Sequence, residues 1–246
     1  MISRLLPGKR PAERTPLPDH IEQIRLEALK GDPLAQTQWG QALLSSTFMQ
    51  SDPVAAIGWF TIAANAGFGP AHNMLGRCYH FGHGVDKDLA QAALHYEKSA
   101  ALGDEWGRYN LGILALRGLG IPADRSRAFA LFREAAHNGH AKSMNLYARF
   151  LEEGWEVAKD RQEALAWYKR SAEQGDYRGQ HNYATALAEA GLVEEALNWW
   201  RQAIQDKDIT PDILQAMKRS LTAQDMQQDD ALLADVDRKL EAFLKK

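Results

Sequence analysis

Apolar and small residues recur along this chain at helical spacing. Ala71, Leu75, Gly76 and Tyr79 fall along one stripe at about 100° per residue, and Gly107, Leu111, Gly112 and Ala115 repeat that stripe further on. The spacing predicts an amphipathic helix, helix A, whose small positions let a neighbouring helix come close. Ala92, Tyr96 and Ser99, then Ala128, Phe132 and Ala135, mark a second helix, helix B, at i, i+4 and i+7. Asp88 and Asp124 stand where helix B begins and predict N-caps, and Gln91 after Asp88 predicts a capping box, as Glu163 does after Asp160. Between the two helices Gly82 and Gly84 recur as Gly118 and Gly120, which predicts a turn with positive φ, and the glycine opening the next unit ends helix B.

Gly31, Gly67, Gly103, Gly139 and Gly175 lie 36 residues apart with no insertion between them. A period of this size means a stacked array, in which each unit buries its apolar face against its neighbours. Five units follow, over residues 31–66, 67–102, 103–138, 139–174 and 175–206, the last four residues shorter. Asp19 and Glu22 open a capping helix within residues 17–30, and Thr210 followed by Pro211 opens C-terminal capping helices over residues 207–246. Residues 1–16 are proline-rich and basic without a periodic apolar face, and are expected to form a flexible leader. The expected architecture is all-α, with about 14 helices: one before the repeats, ten within them and two or three after.

The order small, Leu-Gly, Tyr, Gly-x-Gly, Asp, Ala, aromatic, Ala at this period resembles the Sel-one-like repeat (SLR) family, relatives of the tetratricopeptide repeats. The match is good from Gly31 to Gln174. The first unit departs from the pattern with Ser46 and Phe48 at the turn, and the fourth with Glu156 in place of the second glycine. From Gly175 the segment AEAGLVEEALNWWRQAI looks more like an ordinary tetratricopeptide repeat. The resemblance implies a right-handed α-solenoid that acts as an adaptor or scaffold in protein complexes, and many members of the family are bacterial.

Composition narrows the partners. The net charge of −3 gives no overall drive toward nucleic acid or membranes, and no run of about 18 apolar residues occurs to span a bilayer. The single cysteine, Cys78, excludes an intramolecular disulfide framework and fits a reducing compartment, here read as the cytoplasm. A monomeric, non-enzymatic protein without cofactors is expected: no nucleophile elbow or carboxylate pair stands out, and Gly82-x-Gly84 follows no strand and so is no phosphate loop. The competing reading is a metal- or small-molecule-binding regulatory protein centred on the second repeat, where Cys78, His80 and His83 form C-x-H-x-x-H. Cys78, however, falls on a core position, and a fourth ligand would have to come from His72 or His95.

The face of helix A opposite its core stripe should be free to bind. In tetratricopeptide-like arrays the A helices line a concave groove, and at these places stand Asn73, Arg77, His80, Trp106, Tyr109, Asn145, Arg149, Arg178 and His181. Amides, guanidinium groups and aromatics suit a protein or peptide ligand better than plain solvation does. Arg77 and Arg149, two repeats apart, point to an acidic side chain or a free C-terminus on an extended partner.

Overall fold

The structure is a computed structural model that describes residues 16–223 and 229–245. The expected leader lies, apart from Pro16, outside the described residues. Among those described there are 13 helices and no strand. Helix α1 (Asp19–Leu29) precedes the repeats. The A helices are α2 (Pro33–Leu44), α4 (Gly69–Phe81), α6 (Glu105–Arg117), α8 (Ala141–Glu153) and α10 (Tyr177–Glu189). The B helices are α3 (Pro53–Asn65), α5 (Leu89–Ala101), α7 (Arg125–His137), α9 (Arg161–Glu173) and α11 (Val193–Ala203). Two helices, α12 (Pro211–Leu221) and α13 (Asp230–Leu244), follow the array.

The sequence signals that start and stop these helices act as local physics requires. Asp52, Asp88, Asp124 and Asp160 each accept a hydrogen bond from the third backbone N–H of the B helix they open, at 2.8–3.0 Å. The capping box expected at Gln91 and Glu163 does not close. The cap residue's own N–H donates instead to a carbonyl of the preceding A helix: Asp52 to Leu43, Asp88 to Tyr79, Asp124 to Ala115 and Asp160 to Leu151, at 2.8–2.9 Å. One residue thus caps helix B and ties it to helix A. In the turn, Gly118 and Gly120 hold φ of 67° and 73°, a region that L side chains rarely adopt, and Glu156 takes φ 59° where the fourth repeat lacks its glycine.

Each A helix packs on its own B helix and on the helix before it, which for α2 is the capping helix α1, so the core is a continuous seam between two helical layers. One large aromatic per repeat stands in that seam at the same place: Phe60, Tyr96, Phe132, Tyr168 and Trp200 are all buried. The C-terminal pair covers the far end, with Leu214 and Met217 of α12 and Leu232 and Val236 of α13 buried beneath it. Among the described residues no helix is long and apolar enough to cross a membrane.

Candidate binding face of the A helices

An A helix in this stack meets more neighbours than its core stripe suggests. Besides two B helices it touches the next A helix, with α2 against α4, α4 against α6 and α8 against α10. The free face is therefore narrower than the sequence predicts. Asn73, Asn145 and His181, all expected on the free face, are buried. Asn110 Nδ2 donates to Asn73 Oδ1 at 2.8 Å and Asn182 Nδ2 donates to Asn145 Oδ1 at 2.7 Å, so each pair clips two adjacent A helices together. His181 Nδ1 accepts from the Trp200 indole N–H at 3.2 Å. Burial, reinforced by the nearby Arg219 charge, holds this imidazole's pKa at about 4, so it is neutral and positions Trp200.

The remaining predicted residues separate into held and free. Arg178 lies with its guanidinium 4.4 Å from the centroid of the Tyr177 ring. Tyr109 is half-buried between Phe132 and His140, and burial raises its hydroxyl pKa. His80 is half-buried with its pKa lowered by burial and by Lys87; its Nδ1 stands 3.5 Å from the Tyr96 hydroxyl, long for a hydrogen bond. Arg149 is exposed but packs over Trp155 at 5.4 Å, a ring that also carries Arg125 at 5.3 Å. Trp106 is 46% exposed at the N-terminal end of α6. Arg77 is exposed and makes no ion pair among the described residues; with Gln41, Met74 and His83 it lines a cavity of about 380 Å³ between the first two repeats. The exposed aromatic Phe81, one helical turn beyond Arg77, belongs to the same face and was not singled out from the sequence.

The metal-like motif of the second repeat does not converge. Cys78 is 1% exposed inside the core and burial pushes its thiol up to about 11, while His83 is exposed in the turn. His72 pairs instead with His95, Nδ1 to Nδ1 at 3.2 Å, and burial together with the like-charged neighbour brings His95 down to about 4. Among the described residues no three His, Cys, Asp or Glu side chains are grouped to hold a metal ion.

Comparison with known proteins agrees with the repeat fold. The Sel1 repeat model matches residues 33–68, 69–104, 107–140, 141–176 and 193–208, each of the first four beginning at or near the start of an A helix. No curated protein matches the chain. Among solved structures, a Sel1 repeat protein from Oxalobacter formigenes superposes with a TM-score of 0.75 at 21% identity, covering 91% of this chain and 99% of that one. A protective antigen of uropathogenic Escherichia coli strains, displaying an SLR fold, gives 0.66 at 24% identity; the match covers 91% of this chain but only 49% of the antigen. An immunity protein from Pseudomonas aeruginosa gives 0.52 at 17% identity over 94% and 84%. At these identities the structural likeness speaks for the fold alone. With repeat matches over more than half of its length, placed on the helices described above, the chain belongs to the Sel1 repeat family.

Proposed function

We propose that this protein is a non-enzymatic scaffold that holds an extended segment of a partner protein along the exposed stripe of its A helices, with an acidic side chain or a free C-terminal carboxylate bound at Arg77. Sel1 repeat proteins generally serve as protein-interaction scaffolds, and stacked helical repeats present long surfaces suited to that task. The observation that carries the reading is the state of Arg77. It is an exposed guanidinium with no carboxylate partner among the described residues, beside a cavity and within two turns of the exposed Phe81. A guanidinium presents a planar fork of donors matched to a carboxylate, and the aromatic next to it offers apolar anchorage. Arg149 contributes less, because its guanidinium is already stacked on Trp155.

A displayed peptide library with free C-termini, selected against the whole chain, tests this. Wild-type protein should enrich sequences bearing an acidic residue or the terminal carboxylate. Loss of one charge-assisted hydrogen bond is worth about 1.5–3 kcal/mol, so Arg77→Ala should weaken the selected peptides about tenfold or more. Arg149→Ala should weaken them less, and both variants should melt within a degree or so of wild type, since exposed substitutions change stability by about 0.5 kcal/mol or less. Unchanged selection in Arg77→Ala removes the assignment of this face.

A further inference from the structure

The cavity beside Arg77 lies at a place that the later repeats fill with side chains of their own. Its volume of about 380 Å³, between the first two repeats, is walled by Leu44, Pro53, Met74, Arg77, Cys78 and His83 among others. Two repeats on, the same positions hold Leu116, Arg125, Leu146, Arg149, Phe150 and Trp155. Three of these are larger than their counterparts: Trp155 for His83, Phe150 for Cys78 and Arg125 for Pro53. There the Trp155 ring takes the space. Its centroid is 5.6 Å from that of Phe150, and the Arg149 and Arg125 guanidinium groups lie 5.4 and 5.3 Å from the ring. In the third repeat Leu119 stands at the same position and packs against the core cluster that holds Leu114. In the second repeat His83 stays exposed, its ring 5.8 Å from that of Phe81, and Cys78 is shorter than either Leu114 or Phe150. The gap has the outline of a side chain that this seam lacks.

The walls say which side chain fits. Met74 is buried, Leu44 and Pro53 are half-buried, and Gln41 Nε2 donates to Met74 Sδ at 3.4 Å. A thioether is polarizable and favours contact with aromatic rings. Arg77 on the rim supplies a planar cation, which attracts the face of a ring just as Arg149 lies over Trp155. The face of a guanidinium can lie on a ring while its edge donates to a carboxylate, so the two guests do not compete. An aliphatic side chain would fill less of the cavity and leave the guanidinium face uncovered.

Resting on the carboxylate reading at Arg77, we propose that this cavity receives a large aromatic side chain, tryptophan above all, from the same partner segment. The guest ring lies against Met74 and beside Arg77, in the place that Trp155 takes beside Arg149. The partner therefore presents an aromatic residue next to its carboxylate, and it completes the seam between the first two repeats as the chain completes the seam between the third and fourth.

Capped dipeptides titrated into the whole chain, followed at the Met74 methyl ¹H–¹³C resonance, test the assignment. Acetyl-Gly-Trp with a free carboxylate should shift that methyl to saturation through the ring current of the indole. Acetyl-Gly-Ala with a free carboxylate should bind about tenfold or more weakly, since a buried aromatic anchor carries much of the energy of such contacts. His83→Trp gives the second repeat the ring that the fourth already has. It should shift the methyl with no peptide present and bind the two acids alike. Arg77→Lys, which keeps the charge and loses the plane, should narrow the preference for tryptophan over alanine. Acetyl-Asp-Trp-amide, compared with the tryptophan acid, distinguishes a side-chain carboxylate from a terminal one by which saturates at the lower concentration. Equal binding of the tryptophan and alanine acids, a methyl that does not move, or an undiminished tryptophan preference in His83→Trp would each overturn the aromatic seat while leaving the carboxylate at Arg77 standing. Equal binding of acetyl-Gly-Trp-amide and the tryptophan acid would overturn the carboxylate and leave the seat.

Discussion

Two glycines inside helices of this chain should respond to alanine with opposite signs. Gly112 lies in the middle of α6, facing the ring of Phe132 on α7. A Cβ there would stand 2.6 Å from Phe132 Cε1 and 2.9 Å from Cζ, well inside the 3.5–4.0 Å of an ordinary carbon contact. The ring is fully buried and packed against Tyr109 and Phe150, at 6.2 and 6.1 Å between centroids, so it has little room to turn away. Helix propensity favours alanine by about 1 kcal/mol, while overpacking a filled core costs about 1–3 kcal/mol. The expected net effect of Gly112→Ala is a loss of about 1 kcal/mol. Gly58 in α3 is exposed and a Cβ there meets nothing within 4 Å, so Gly58→Ala gains the propensity alone and should stabilise by about 1 kcal/mol. In a chain of this size each kcal/mol moves the melting temperature by about 2–4 °C, so the two variants should part by about 4–8 °C on opposite sides of wild type. Urea unfolding followed by circular dichroism gives the same comparison in free energy. If Gly112→Ala stabilises as Gly58→Ala does, the tight approach of the two layers is not what places glycine there. The fourth repeat shows the alternative solution, with Ala148 in the place of Gly112 and Tyr168 in the place of Phe132.

Acid should destabilise this protein earlier than its carboxylates alone would cause. His181 has its pKa lowered from 6.5 to about 4 by burial, so between those values the unfolded chain binds the proton that the folded one refuses, and stability falls as pH drops through the window. A difference of about 2.5 at 1.36 kcal/mol per pKa unit sets the loss near 3 kcal/mol by pH 4. Denaturation midpoints for wild type and His181→Gln between pH 7 and 5 should therefore converge as pH falls, and parallel curves would refute the assignment. The Ser171 hydroxyl, fully buried, stands 2.8 Å from the Ala141 carbonyl and 3.2 Å from Asp176 Oδ2, sharing its one proton between them, and Ser171→Ala should cost about 1 kcal/mol in urea unfolding. No loss there would show that the hydroxyl is not tying α9 to α8 within the fourth repeat and to Asp176 at the start of the fifth.

The helices were legible because their signals are local. An aspartate before helix B, a glycine after it and an apolar residue every third or fourth place are read within a few residues of where they act. The free face of helix A was not legible in the same way. Periodicity within one helix reveals one apolar stripe, but an array brings a third neighbour, the next A helix, against a side that carries polar residues. Asn73 and Asn145 read as part of a free, partner-binding face since nothing in their own repeat answers them; their partners, Asn110 and Asn182, are 37 residues away.

A second period carries information that the 36-residue one obscures. The buried aromatics run Phe60, Tyr96, Phe132, Tyr168, and the place three residues on runs Ala63, Ser99, Ala135, Ser171. The asparagine clips begin at Asn73 and Asn145, and the exposed guanidinium groups are Arg77 and Arg149. In these runs the polar choices fall in the second and fourth repeats, and Asn73, Ser99, Asn145 and Ser171 each have a partner in the repeat that follows. Ser99 and Ser171 bond to Asp104 and Asp176, beside Gly107 and Gly179, whose missing side chains leave room for the hydroxyls. The seams between the second and third and between the fourth and fifth repeats thus carry a buried serine–aspartate bond, whereas Ala63 and Ala135 offer no hydroxyl at the same place, and the alternate seams are crossed instead by Gln41 to Met74 Sδ and by Ser126 to Glu156. Buried directional bonds at the serine place therefore recur at every second seam of the solenoid. The surface inherits that pairing. On the proposed reading of the A-helix stripe, a segment laid from the second to the fourth repeat would meet the guanidinium of Arg77, then the apolar Ile113 on α6, then the guanidinium of Arg149. A ligand with acidic groups on either side of an apolar one matches that order, and a ligand with the reverse order places its apolar groups on charge.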